Sequence, residues 1–323
     1  MQILLWSLVL IVSVWAADWG SDNLAEPLKK LRRQWGLSEA AGAAFVALAT
    51  ASPEIGTNTA AAVRGLSDIG LGNLLGSNII SVPAIVLVSY WASRNSDRSN
   101  NEKHYLEVKS EALTVQALPY IMIIILAAIL TLPAPWRGLQ PIDGWIMLAA
   151  YLIYLAQAIL REKQSGTEVR WHKEGILRAI AGVLILAIAA YLIVTATERL
   201  VNLIGISQII GGLFITSTLS IAPEIFTTWK VAKSGQVTAA TTSVIADNTA
   251  TMTLALFPLA LVGLEIQDLR LFTVNLIFVA LLAIVYAAFI YWGKQKNSFE
   301  WWEIMILIAI YLIYLALMIF VIL

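Results

Sequence analysis

Apolar and polar positions alternate along this chain in long blocks rather than at short period. Ten apolar stretches recur, at about 2–19, 37–63, 69–92, 114–133, 142–160, 176–198, 207–229, 237–262, 270–292 and 301–323. Each is long enough to cross the hydrocarbon core of a bilayer as a helix, which takes roughly 20 residues. Short polar segments separate them. Trp6, Trp19, Trp91, Trp136, Trp292, Trp301 and Trp302 fall near the ends of these stretches, where interfacial aromatic belts sit. Residues 2–17 lack a basic leader, so they read as a first span rather than a cleaved signal peptide.

Charge sorts the connecting segments into two sets. Of the 21 Lys and Arg residues, 17 fall after spans 1, 3, 5, 7 and 9; only Arg64, Arg137, Arg199 and Arg270 fall on the other side. The positive-inside rule then places the basic loops in the cytoplasm and both termini outside it. The expected location is a prokaryotic inner (cell) membrane. Composition agrees: 59% hydrophobic, 13% charged, mean hydropathy +0.79. The formal net charge is zero, so nothing argues for a nucleic-acid partner, and no protein partner is inferable. Cysteine is absent, which excludes thiol chemistry; the two histidines, His104 and His172, lie in polar linkers. No enzyme and no cofactor are expected.

One stretch occurs twice, at residues 45–83 and 215–253. An offset of 170 superimposes Pro53-Glu54-Ile55 on Pro223-Glu224-Ile225, Thr57 on Thr227, Gly65 on Gly235 and Asn78 on Asn248. A repeat unit of five spans is odd, so the second copy enters the membrane upside down. The predicted fold is an all-α polytopic membrane protein of ten transmembrane helices in two inverted five-helix repeats. The first covers 1–160 and the second 175–323, with a cytoplasmic linker at 161–174. Secondary transporters are built this way, with the site at the midplane between the halves. The linkers at 93–113 and 161–174 are too short for a separate sensing domain.

A carboxylate inside an apolar span is costly and by default marks an ion or substrate path. Glu54, Glu224 and Asp247 are such carboxylates. Helical spacing puts Thr50 on the face of Glu54 and Ser220 on the face of Glu224. It also lines up Asn73, Ser77 and Ser81 in span 3, and Ser243, Asp247 and Thr251 in span 8, with Asn78 and Asn248 flanking. Pro53 and Pro223 are expected to break their helices and free carbonyls near Ala47 and Ser217. Carboxylates, hydroxyls, amides and carbonyls are hard oxygen ligands, suited to Ca²⁺, Na⁺ or protons. Other polar residues read as structural. Gly72 and Gly76 serve tight packing, Asp68 caps a turn, and Asp18, Glu39 and Glu198 lie solvated near span ends.

These residues resemble the calcium/cation antiporter superfamily, whose best-known members are the sodium/calcium exchangers. The family pattern is G-T-S-x-P-E followed by G-N-x-x-G-S-N-I-x-N, twice. Thr50, Pro53 and Glu54 match the first motif, and Gly72 to Ile79 the second. Departures are Ala49 and Ala51 for Gly and Ser, Ser81 for the closing Asn, and a looser second copy. There Asp247 takes the motif's Ser position, and Thr251 stands where sodium/calcium exchangers often carry an acid. The resemblance implies a Ca²⁺ antiporter in the lipid bilayer, exchanging against Na⁺ or, as the alternative, H⁺. Three carboxylates beside one Ca²⁺ leave a net charge of −1, to be neutralised by a proton or by sodium ions. The surplus of neutral oxygens favours sodium. A passive cation channel and a non-transporting sensor are the rival classes.

Overall fold

Apolar spans become helices because a backbone facing lipid has to satisfy its own hydrogen bonds. The computed structural model describes residues 1–37, 46–94, 105–108, 116–133, 137–161, 166–169, 171–293 and 297–322. Its helices are α1 (Gln2–Gln34), α2 (Ser52–Val63, preceded by a helical turn at 46–50), α3 (Ser67–Arg94) and α4 (Leu118–Thr131). There follow α5 (Pro141–Arg161), α6 (Lys173–Ile204), α7 (Gln208–Lys233), α8 (Val237–Leu261), α9 (Leu269–Trp292) and α10 (Trp301–Phe320). Among the described residues seven of these, α1, α3 and α6 to α10, are long and apolar enough to cross a membrane. The protein is a multi-pass membrane protein.

The basic extension after the first span does not unwind. α1 continues through it as one helix of 33 residues. The chain is also not purely helical. Two antiparallel ribbons join its loops, β1 (Tyr105–Glu107) with β4 (Ser298–Glu300) and β2 (Gly138–Leu139) with β3 (Leu264–Glu265). Leu106 faces Phe299 and Leu139 faces Leu264, all four buried, so loop backbone is paired and covered at the same time.

α3 and α8 form the centre. In each, 78% of the most apolar 18-residue window is buried, against 28% in α1 and α10. These two helices carry the polar stripes, and hydroxyls and amides have partners only inside the bundle. α3 packs against α2, α7, α8, α9 and α10. Its crossing with α7 leaves no room for side chains. A Cβ on Gly72 would stand 2.2 Å from the Ile209 carbonyl oxygen, and one on Gly212 would stand 2.3 Å from that of Ile69. Gly72 and Gly76 are therefore packing glycines.

A second extensive seam joins α1 to α6, where Gly20 and Gly182 meet backbone to backbone. The repeated glycines end their helices in the same way. Gly65 and Gly235 adopt φ of +68° and +88°, and both N–H groups bond three residues back, to Ala62 and Ala232.

Candidate cation site

Pro53 sits in the first turn of α2, where its missing N–H is not needed. The chain turns at Ala51 between the 46–50 segment and α2. The carbonyl that Pro53 cannot serve is that of Ala49, four residues back. It accepts hydrogen bonds from Ser21 on α1, at 2.5 Å, and from Ser52, at 2.6 Å. The expectation for Ala47 is corrected: its carbonyl accepts from the Ala51 N–H at 2.9 Å and from Thr50 Oγ1 at 3.2 Å, so it is not freed.

The second copy departs further. α7 stays helical from Ser217 through Pro223 to Lys233, and its irregularity lies upstream, in a π-helical stretch at Gly211–Thr216. The Ser217 carbonyl accepts from Ser220 Oγ at 3.0 Å, and Ser217 Oγ donates to the Leu213 carbonyl. Neither Ala47 nor Ser217 thus offers a carbonyl released by proline.

Between these helices lies a cavity. Glu54 and Glu224 line it with Thr50, Asn73 and Ser220, joined by Thr57, Thr216 and Asp18. Glu54 is 3% exposed; Glu224 is partly exposed to the cavity. Asp247 on α8 is 6% exposed and lies behind them. Each copy approaches the other: Ser220 stands near the Glu54 carboxylate and Thr50 near that of Asp247, while both hydroxyls donate to backbone carbonyls of their own segment, Ser217 and Ala47. The three carboxylates are close enough to repel one another. Among the described residues no three acidic or histidine side chains close up enough to hold a metal ion between them.

Some of the buried oxygens without partners are informative. Eight side-chain oxygens are buried with no hydrogen-bond partner within the described residues; Ser89, Gln116, Tyr154 and Glu303 hold four of them, and Glu54 Oε2, Asn58 Oδ1, Asn73 Oδ1 and Asp247 Oδ1 are the other four. These last four are acceptors on α2, α3 and α8. A buried acceptor with no donor costs about 1–3 kcal/mol. Asn58 escaped the sequence reading, although Thr50, Glu54 and Asn58 follow one another at four-residue spacing on one face. Its Nδ2 donates to the Ala255 carbonyl at 2.9 Å, where α8 is π-helical.

Other predicted ligands are engaged elsewhere. Asn78 donates to Thr251 Oγ1 at 3.0 Å and accepts from the Tyr120 hydroxyl at 2.9 Å. Ser81 donates to Asn248 Oδ1 at 3.0 Å. These four bind one another across the α3–α8 contact, and none lines the cavity. Ser77 Oγ donates to the Leu74 carbonyl. Ser243 corrects its stripe: it is exposed, and its hydroxyl bonds back to the Ala240 carbonyl at 2.9 Å.

Among the acids read as solvated, Asp18 is also corrected. It lies midway along α1 and lines the cavity, because the helix extends far beyond the expected span end. Glu198 pairs with Arg64 at 2.6 Å. Glu39 lies outside the described residues.

The sequence profile of the family described as sodium/calcium exchanger protein matches residues 4–160 and 175–320. The chain belongs to the sodium/calcium exchanger family. Two curated relatives bear on this exchanger-family chain. An uncharacterized membrane protein of Methanocaldococcus jannaschii is 23% identical over 236 residues, 69% of this chain and 70% of that protein. The sodium/calcium exchanger MaX1 of Methanosarcina acetivorans is 36% identical over 88 residues, 27% of this chain and 23% of its own length. Two solved structures share the fold. The H⁺/Ca²⁺ exchanger CAX superimposes with a TM-score of 0.75 at 15% identity, covering 99% of this chain and 81% of that one. The sodium-calcium exchanger NCX_Mj gives 0.64 at 20% identity, covering 97% and 99%.

Proposed function

We propose that this exchanger-family protein is a secondary active antiporter that moves Ca²⁺ against Na⁺ by alternating access at the cavity between Glu54 and Glu224. The observation that carries the reading is the set of buried acceptors without donors on Glu54, Asn73 and Asp247. Lone acceptors beside repelling carboxylates are stabilised by a cation and by nothing apolar. Ca²⁺ takes six to eight oxygens in flexible geometry. Glu54 and Glu224 supply charge, and Thr50, Ser220 and Asn73 neutral oxygen. Asp247 adds negative charge from the adjoining helix.

The architecture in this reading is ten spans in two inverted repeats, 1–160 and 175–323, with both termini outside the cytoplasm and the linker at 161–174 within it. Reciprocal bonds support the two-fold relation. Asn78 meets Thr251 and Asn248 meets Ser81, each at 3.0 Å, and each partner is the other's equivalent in the repeat.

Exchange of Ca²⁺ for H⁺ is the second reading. It is favoured by the engagement of Asn78, Ser81, Asn248 and Thr251 with one another, which withdraws neutral oxygens that sodium would use. Sealed vesicles loaded with sodium and diluted into sodium-free, calcium-containing buffer at constant pH separate the two. Calcium uptake that follows the sodium gradient and survives a protonophore is the expected result. Uptake indifferent to sodium that collapses with the pH gradient moves the protein to proton coupling, and uptake that follows only calcium's own gradient, whatever the sodium and pH gradients, makes it a channel.

A further inference from the structure

We propose that Asp18 is a fourth carboxylate of the cation pathway, supplied by α1, which captures divalent cations in the cavity beside Glu54 and Glu224. The inference rests on the reading of this cavity as a cation path.

Asp18 lies in the middle of a helix of 33 residues whose preceding turns are apolar. An acid there is costly unless it meets water, a cation or a partner. No cationic side chain among the described residues lies within salt-bridge distance of it. The charges it senses are Glu54 and Glu224 across the cavity, Asp22 one turn along α1, and the exposed Lys230 on α7. One opposing lysine at a distance faces three further acids, so the local charge remains negative.

The position of α1 is defined by contacts at the same turn. Gly20 abuts the Gly182 carbonyl, which fixes α1 against α6. Ser21, three residues after Asp18 and so on the same side of the helix, donates to the Ala49 carbonyl that Pro53 leaves unserved. The helix face that binds the chain turn beside Glu54 is therefore the face that presents Asp18 to the cavity. Independent evidence for a ligand comes from Glu54. It lines that cavity, is 3% exposed, and has Oε2 without a partner. Asp18 is partly exposed, so it can meet a cation that still keeps water, at a lower desolvation cost than Glu54. It serves as the receiving acid, and Glu54 as the dehydrated one.

The test is Ca²⁺ binding to the detergent-purified full chain by calorimetry, with Ca²⁺ uptake into proteoliposomes alongside. Asp18→Asn should weaken Ca²⁺ binding and raise the apparent KM for uptake on the order of tenfold, with uptake at saturating Ca²⁺ kept within about twofold. Asp18→Glu should restore most of the affinity. Asp22→Asn removes an acid of equal charge one turn away that does not line the cavity, and should leave both values unchanged. Gel filtration confirms folding, and Asp18→Ser stands in if Asp18→Asn fails it. Equal affinity in Asp18→Asn and the unsubstituted protein overturns the inference, as does a fall in saturating uptake with KM unchanged. If the unsubstituted protein binds no Ca²⁺, the exchange reading falls and this inference with it, a result distinct from either of those.

Discussion

Asn78 on α3 and Asn248 on α8 occupy the same place in the two copies of the repeat, and they meet. The Asn248 amide lies 3.5 Å from the Asn78 carbonyl, and each asparagine bonds the hydroxyl of the opposite copy, Asn78 that of Thr251 and Asn248 that of Ser81. The two most buried spans are thus joined by paired polar contacts, where a purely apolar seam would be free to slide. Tyr120 closes the network by donating to Asn78 Oδ1. Buried networks of this kind specify one arrangement only when every member is satisfied.

Removing the Tyr120 hydroxyl should therefore cost stability and not affinity. Tyr120→Phe leaves Asn78 Oδ1 without its donor, a loss of about 1–3 kcal/mol. Thermal unfolding in detergent should start several degrees lower, while Ca²⁺ affinity stays within about twofold. A large affinity change with unaltered melting would place Asn78 at the ion instead.

Glu54→Gln and Glu224→Gln should each reduce calcium exchange by about 100-fold or more, since a buried ligand charge is worth several kcal/mol. Both variants should elute as the unsubstituted protein does on gel filtration. Near-normal exchange in either one removes that glutamate from the site.

Asp247 and Ser77 are repeat mates with unlike chemistry. Asp247 is buried with Oδ1 unpartnered, whereas the Ser77 hydroxyl is spent on its own helix at Leu74. Asp247→Asn should lower exchange by at least about tenfold and Ser77→Ala by less than about threefold. Normal exchange in Asp247→Asn makes that acid structural.

The α3–α7 crossing should tolerate no added methyl. In Gly72→Ala the new Cβ meets the Ile209 carbonyl and the Leu213 nitrogen, both backbone atoms that a rotamer change cannot move. The expected loss is about 1–3 kcal/mol, read as a lower melting temperature. Gly65→Ala, with nothing within 4 Å of the new Cβ but a φ of +68°, should cost about 1 kcal/mol through backbone strain alone.

Orientation can be read by labelling, because the chain has no cysteine of its own. Glu168→Cys lies on the basic side and Asn202→Cys on the other, and both positions are exposed. An impermeant thiol reagent added to intact cells should label Asn202→Cys and reach Glu168→Cys only after permeabilisation. The reverse pattern puts both termini in the cytoplasm. Ser99 and Ser165, in the polar linkers, lie outside the described residues and would serve as further reporters on the Glu168 side.

What the sequence determined by itself was the part governed by local rules. Apolar length determined that Leu269–Trp292 and its neighbours would be helices, since bilayer thickness and backbone satisfaction leave no other choice. The repeat offset paired Gly65 with Gly235, and both make the same left-handed turn. Spacing of four placed Thr50 beside Glu54, and the cost of intramembrane charge singled out Glu54, Glu224 and Asp247. Tertiary structure decided which polar atoms face one another, because a hydroxyl or amide takes whichever donor or acceptor lies nearest in space. Ser81 and Asn248 are 167 residues apart, and no helical stripe announces that they will bind each other. The Ala49 carbonyl is claimed by Ser21 from a different helix, so the oxygen freed by Pro53 could not be identified from spacing. Asp18 reads as solvated in the sequence because its apolar stretch ends there. Only the continuation of α1 to Gln34 and its close seam with α6 bring that acid level with Glu54, where the cavity's charge is set by packing rather than by sequence order.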